Sequence, residues 1–362
     1  MSEKVFTKSS WTLEEKKVYL RKHGKAIVKE AQKFANPSGW LVFINLSVTV
    51  IGYFGFLIAA YWIYGNYGFL YALPLIICAA LWVPRFVGTQ HDCGHRSYVK
   101  NIKLGDFIGV FCSIFTLLPY KYWGGEHNYH HVNNNKIETN HIGDIKTITS
   151  DRYRKLPKHA KKKYRKFRNP WNLIIFGGPK YVLILNRFFR HNSIKELTKY
   201  KSSVIFTNIM LLVIYSGLTF LLGVKFLVIC FIIWCIYGIN DVWFFYIQHQ
   251  FEEAVKQMTS EWNFIEAALL GSSRYKLPWI LNFTTTNIGE HPLHHLMSSM
   301  PHYRLRNAWE SLLVSFPELE QIITEITFKD SLKCAHLALY DSQKQKMITF
   351  KEFDRDYPNF TT

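Results

Sequence analysis

The chain has 362 residues, enough for two soluble domains or for one membrane bundle with an aqueous cap. Aromatics make up 17% of it, with 11 Trp and 21 Tyr, which favours the bundle because rings collect at membrane interfaces. Its 44 Lys and Arg against 26 Asp and Glu give a formal net charge of +18; no nucleic-acid recognition motif accompanies it, so nucleic acid is set aside in favour of anionic lipid or an acidic protein.

Near the N-terminus there is no short apolar core followed by a small-residue cleavage site, so insertion is expected to depend on the first span. Thr12 and Glu15 can form a capping box at the start of a basic helix over 12–33, expected to lie along the membrane surface. From Phe34 to Pro84 no residue is charged, a run of 51 positions. That is room for two spans of ~20 residues each. Gly65, Asn66 and Gly68 mark the turn, which places the spans near 42–64 and 67–87. The apolar run 107–118 has 12 residues and falls short of the ~17 needed to cross. The stretch 171–185 is interrupted by Gly177, Gly178, Pro179 and Lys180, so both pieces are expected to be interfacial or re-entrant. Between them, KLPKHAKKKYRKFR (155–168) reads as a solvated or lipid-facing basic surface, with docking of an acidic partner as its second use. A further pair of spans is expected near 204–224 and 226–247, with Lys225 in the turn and Asp241 as the one carboxylate. Six cysteines without a CxxC pair exclude a disulfide framework.

Lys and Arg number nine in residues 1–39, 23 in 85–202 and 11 in 248–362, with only Lys225 in the two span-to-span turns. The positive-inside rule therefore puts both termini and the central segment in the cytosol. The expected fold is all-α: an integral membrane bundle of four transmembrane helices in two hairpins, with a cytosolic helical cap. Its parts are a basic N-terminal segment (1–39), a membrane domain (40–310) with a central cytosolic segment (88–203), and a cytosolic helical tail (311–362).

Eight of the 15 histidines fall in three clusters: HDCGH (His91, His95), HNYHH (His127, His130, His131) and HPLHH (His291, His294, His295). Spacings of three and four put these side chains on one helix face. Pro292 fits only if His291 lies at a helix start. Eight imidazoles are too many for one ion and suit two, and two complete hairpins return every cluster to the same side of the membrane. His249, at the end of the fourth span, is a ninth candidate ligand. Asp241, two turns earlier, is expected either to orient an imidazole or to contact a neighbouring helix.

HDCGH with LGDFIG, HNYHH, YIQHQFE, EWNFIEAALLGSS and TNIGEHPLHHLMSSMPHY together resemble the membrane fatty acid desaturase family over residues 40–310. The short first box is similar to the acyl-lipid type of bacteria and plastids, and HPLHHLMSSMPHY to plant omega-6 enzymes. The resemblance implies two iron ions on the three boxes and His249, electrons from ferredoxin or cytochrome b5, O2 as co-substrate, and an acyl lipid or acyl thioester in a kinked tunnel. In the stearoyl-CoA branch an Asn four residues before the extra histidine reaches metal through water. Here that position is Phe245, so the contact is absent or comes from elsewhere, with Asn287 as a candidate. No heme-binding HPGG segment is present, so the electron donor is a separate protein.

Zinc has no redox chemistry, whereas iron with O2 and two electrons can oxidise an unactivated methylene. Trp123, Tyr129 and Trp243 are candidates for the tunnel wall. His302 and Tyr303 are expected to support the site rather than ligate, with His141 and Asp144 as further candidates for support. His23, His159, His191 and His336 are expected at the surface. Two alternatives stay open: a hydroxylase, ketolase or alkane monooxygenase on the same scaffold, and a metal-binding membrane protein without catalysis.

Overall fold

Four helices are long and apolar enough to cross a membrane, and they form two tight hairpins, as the uncharged blocks predict. The computed structural model describes residues 10–138 and 142–360. The first span, Gly39–Tyr67, turns into the second, Phe69–Gly94, at Gly68, whose φ of +98° is a conformation glycine adopts without steric cost. The third, Lys201–Leu222, turns into the fourth, Val224–His249, at Gly223 with φ +77°. Both hairpins are tighter than expected, since helix runs through Gly65 and Asn66 and includes Lys225. The second span also overruns its expected end. Pro84 starts its last segment, Pro84–Gly94, where a missing N–H removes no helical bond.

Ile51, Leu70, Leu212 and Phe220 are 71%, 77%, 69% and 90% exposed on the outer faces of these helices. Apolar area of this extent calls for lipid, and the protein is a multi-pass membrane protein. On the inner faces small residues admit large ones. Gly52 lies under the ring of Trp82, whose indole N–H donates to the Thr49 carbonyl at 3.1 Å. Tyr53, Phe86 and Phe115 pack together at ring separations of 4.2 to 5.4 Å.

Between the hairpins, helices Ile102–Thr116 and Tyr120–Asn133 meet at a bend of 97°. The bend is stitched by Gln90 of the second span. Its amide donates to Ser113 Oγ at 3.0 Å and to the Leu118 carbonyl at 2.9 Å, and its Oε1 accepts from Thr116 Oγ1 at 2.7 Å. Buried irregular backbone is tolerated where protein groups satisfy it in this way. The stretch after residue 170 is divided into a π turn (Trp171–Ile175), a short helix (Gly177–Leu183) and a 3-10 turn (Leu185–Arg187), but the breaks fall at Phe176 and Ile184, and Gly177, Gly178, Pro179 and Lys180 lie inside the short helix instead of interrupting it.

The N-terminal helix, Leu13–Gln32, carries the expected capping box: Thr12 Oγ1 accepts from the Glu15 N–H at 3.3 Å and the Thr12 N–H donates to Glu15 at 2.7 Å. It buries Leu20, Gly24, Ile27 and Ala31 in a core shared with helices Phe264–Leu270 and His302–Ser315, so one of its faces belongs to the cap. The C-terminal region is not wholly helical. Leu337–Asp341 pairs antiparallel with Lys346–Thr349 and parallel with Ile148–Thr149, while Arg274–Tyr275 pairs parallel with Glu325–Ile326. The fold is mostly helical, with these two small sheets as its departure from the all-α expectation.

Candidate metal centre

Each histidine cluster sits on a short helical scaffold. His91 lies in the last turn of Pro84–Gly94, and His95 caps that helix. His127, His130 and His131 share the face of Tyr120–Asn133, one turn apart. His291 begins the helix His291–Leu296, with Pro292 in its first turn, where the sequence requires it. His249 is the last residue of the fourth span.

The structure brings all nine imidazoles together. The ligand atoms of His91, His95, His127, His131 and His294 lie within 4.8 Å of one another, and so do those of His130, His249 and His295. His291 adds a fourth nitrogen to the second group, its Nε2 2.8 Å from that of His249 and 3.0 Å from that of His295. The two groups touch, with the rings of His131 and His295 stacked 4.3 Å apart.

Hydrogen bonding cannot account for this packing. His249 Nε2 lies 3.2, 2.8 and 3.2 Å from the Nε2 atoms of His130, His291 and His295. One ring nitrogen carries at most one hydrogen, so bare lone pairs converge there. Imidazoles on a common ion at a metal–nitrogen distance of about 2.1 Å lie about 3.0 Å apart when at right angles. The first group has the same spacing: His91 to His294 3.0 Å, His294 to His131 2.9 Å and His131 to His127 3.0 Å. His95 Nε2 is buried without a hydrogen-bond partner. Burial, reinforced by neighbouring imidazoles, holds His95, His127, His131, His291, His294 and His295 well below the ordinary histidine range, and burial pushes His130 down to about 4. Neutral imidazoles with free lone pairs are what a metal ion requires. The residues present thus fit two metal ions, one beside five nitrogens and one beside four.

The family model described as fatty acid desaturase matches residues 68–326, well over half of the chain. This chain belongs to the fatty acid desaturase family. The chain is 32% identical over 328 residues to a fatty acid desaturase of Bacillus subtilis, covering 90% of this chain and 91% of that one. It is 26% identical over 294 residues to the sn-1 oleoyl-lipid 12-desaturase of Synechocystis, covering 80% and 79%. It is 26% identical over 261 residues to the sn-1 acyl-lipid omega-3 desaturase (ferredoxin) of the same organism, covering 67% of each chain.

Around these imidazoles stand several of the expected supports and some that the sequence did not single out. Asp92, inside the first box, accepts from His91 Nδ1 at 3.0 Å, and the Asn134 amide lies 3.2 Å from His295 Nδ1. Trp123 stacks on His127 at 5.2 Å, and Phe245 packs 5.4 and 5.3 Å from His130 and His249. Trp243 instead reaches toward Tyr275, its indole nitrogen 3.5 Å from the hydroxyl. Asp241, within the fourth span, makes no hydrogen bond to an imidazole among the described residues. Asp144 bonds the neighbouring Ile145 N–H, and His141 lies outside the described residues. His159 and His336 are exposed, as expected. His191 is not a free surface residue: its Nε2 meets the buried Glu126, the residue before His127, at 2.7 Å. His23 is half-buried and stacks on Tyr19 at 4.4 Å.

Proposed function

We propose that the chain introduces a cis double bond into a membrane-associated acyl chain, using O2, two electrons from an external donor and two iron ions held by the nine histidines. The observation that carries this reading is the pair of touching all-imidazole groups, one of five nitrogens and one of four. In balanced form, –CH2–CH2– with O2, two electrons and two protons gives a cis –CH=CH– and two waters. Iron bound there supplies, with O2 and two electrons, the oxidising strength that removal of hydrogen from a methylene needs and that zinc lacks.

The chain's own groups do the positioning. His91, His95, His127, His131 and His294 would hold one ion, and His130, His249, His291 and His295 the other. Phe245, Trp123 and the half-buried face of the fourth span offer apolar surface beside the site to orient a methylene chain and exclude water. Phe245 carries no polar atom, so any further contact to the four-nitrogen site comes from another residue, for which Asn287 is the candidate. An acyl lipid is favoured over an acyl thioester, because two of the relatives named above act on lipid-linked acyl chains by their names. A ferredoxin or cytochrome b5 type protein would supply the electrons. The excess of Lys and Arg outside the two span-to-span turns favours a cytosolic site with both termini on that side.

Expression in a host without polyunsaturated lipids, with fatty-acid profiling by mass spectrometry, tests the reaction. A product lighter by two hydrogens supports desaturation, and a product heavier by one oxygen assigns the scaffold to hydroxylation instead. His294→Ala is expected to abolish product while the protein stays in the membrane fraction.

A further inference from the structure

Behind His91, on the side away from the other imidazoles, a chain of buried polar side chains begins. His91 Nδ1–H donates to Asp92 Oδ1 at 3.0 Å. The other carboxylate oxygen, Oδ2, accepts twice from one residue: from the His302 backbone N–H at 2.7 Å and from His302 Nδ1 at 2.8 Å. Across that ring, His302 Nε2 lies 3.3 Å from Asn45 Oδ1. The same amide oxygen accepts from Arg85 Nη2 at 2.9 Å. Arginine only donates, which fixes the Asn45 amide with its oxygen toward Arg85 and toward the His302 ring. Arg85 is anchored in turn. Its Nε donates to Thr49 Oγ1 at 3.1 Å, its Nη1 to the Phe283 carbonyl, and its guanidinium lies 4.4 Å over the Phe283 ring. Asp92, Arg85, His302 and His91 are 1%, 3%, 4% and 6% exposed, so these four groups are shielded from water, and Asn45 is half-buried.

We infer that Asp92 and His302, anchored by Asn45 and Arg85, are positioning residues that set the tautomer and orientation of His91 toward the five-nitrogen group. A free imidazole can offer either nitrogen. A carboxylate that takes the Nδ1 hydrogen leaves the Nε2 lone pair facing His294 Nε2, 3.0 Å away, and strengthens that nitrogen as a ligand. The brace also joins the first span, the second span and the helix after the third box. Histidines that reach the five-nitrogen group from distant stretches are thereby held in register.

This inference rests on the diiron reading, and the test separates the two. Full-length wild type, Asp92→Asn, His302→Phe, His302→Gln and Asn45→Ala are purified in detergent and depleted of metal. Each is titrated with 57Fe(II) under anaerobic conditions and followed by iron content and Mössbauer spectra, with gel filtration as the control for folding. Asp92→Asn and His302→Phe are expected to weaken one of the two iron sites about 10- to 100-fold and change its quadrupole splitting, while the other site keeps its spectrum. His302→Gln, which keeps a donor toward Asp92, is expected to recover most of that loss, and Asn45→Ala to show a smaller effect. If Asp92→Asn does not fold, the His302→Phe and His302→Gln pair decides. Wild type that takes up no iron overturns the diiron reading and the brace with it. Wild type that loads two irons beside folded variants of equal affinity and spectrum overturns the brace alone.

Discussion

Gly178 and Gly238 hold two backbones in direct contact: a Cβ placed on Gly238 would lie 2.7 Å from the Gly178 carbonyl oxygen. Side chains do not approach backbone that closely, so one segment would have to move. The contact fastens the short helix Gly177–Leu183 to the fourth span, three turns before His249. Gly238→Ala is therefore expected to lower stability by ~1–3 kcal/mol and to shift the helix that delivers His249. Thermal unfolding in detergent, followed by gel filtration, checks it. Gly217→Ala, where a Cβ meets nothing within 4 Å, is expected to match wild type.

Arg168 shows a second kind of bracing. It is 2% exposed, although it ends a basic stretch that reads as surface. Its guanidinium donates to the Tyr246 hydroxyl at 3.0 Å, to Gln250 Oε1 at 3.0 Å and to the Leu337 carbonyl at 2.7 Å. It thus links the end of the fourth span, on both sides of His249, to the C-terminal sheet. Arg168→Met removes these three charge-assisted hydrogen bonds, while Thr147 Oγ1 still donates to Gln250 Oε1 and the Tyr246 hydroxyl to the Leu337 carbonyl, at a cost of ~1.5–3 kcal/mol for a bond to a charged group. A lower unfolding temperature is expected for it, whereas Lys162→Ala and Lys163→Ala, both on exposed positions of the same helix, should leave stability unchanged. Equal behaviour of all three variants would contradict the bracing role.

The contrast between Arg168 and its neighbours shows what the sequence carried and what it did not. Uncharged runs located four spans, because the cost of a charge in hydrocarbon leaves a local mark. The three- and four-residue spacing of the histidines located the imidazole groups, since helical geometry is also local. Asp92 and His302 are 210 positions apart, and no periodicity links them. The burial of Lys161, Tyr164 and Arg168 within a basic helix is an amphipathic pattern that a count of charges averages away. The short parallel strands at Ile148–Thr149 and Arg274–Tyr275 are two residues each, too brief to show an alternation, and their pairing comes from distant chain. His191 looked isolated because its partner, Glu126, lies on another element.

Burial depresses His130 from the ordinary value of 6.5 to about 4, with Asp144 opposing and Lys256 adding to the shift. The unfolded chain binds a proton near pH 6.5, while the folded chain resists it until about pH 4. Stability is therefore complete above pH 6.5 and falls as the pH drops toward 4, because only the unfolded state gains protons in that window. For this one residue the loss approaches about 3 kcal/mol at about 1.4 kcal/mol per pH unit. The other buried imidazoles shift the same way and steepen the decline. Chemical denaturation of metal-free protein at pH 7.5, 6 and 5 should show a progressive loss, and a flat profile over that range would contradict neutral burial.

The two nitrogen groups should empty separately. His249 is the hub of the four-nitrogen group, with its Nε2 within 3.2 Å of three others. Its removal takes away a quarter of the donors and the one contact common to the rest. His95 belongs to the five-nitrogen group, where four imidazoles remain after its loss, as many as a tetrahedral site requires. His249→Ala is therefore expected to lower bound iron from about two ions per chain to about one, and His95→Ala to keep both ions with weaker affinity for one. Both variants should lose most product, since the proposed reaction uses both ions. Iron content measured beside product yield separates these outcomes. A His249→Ala protein that keeps two tightly bound irons would remove His249 from the ligand set and leave the second group with three imidazoles.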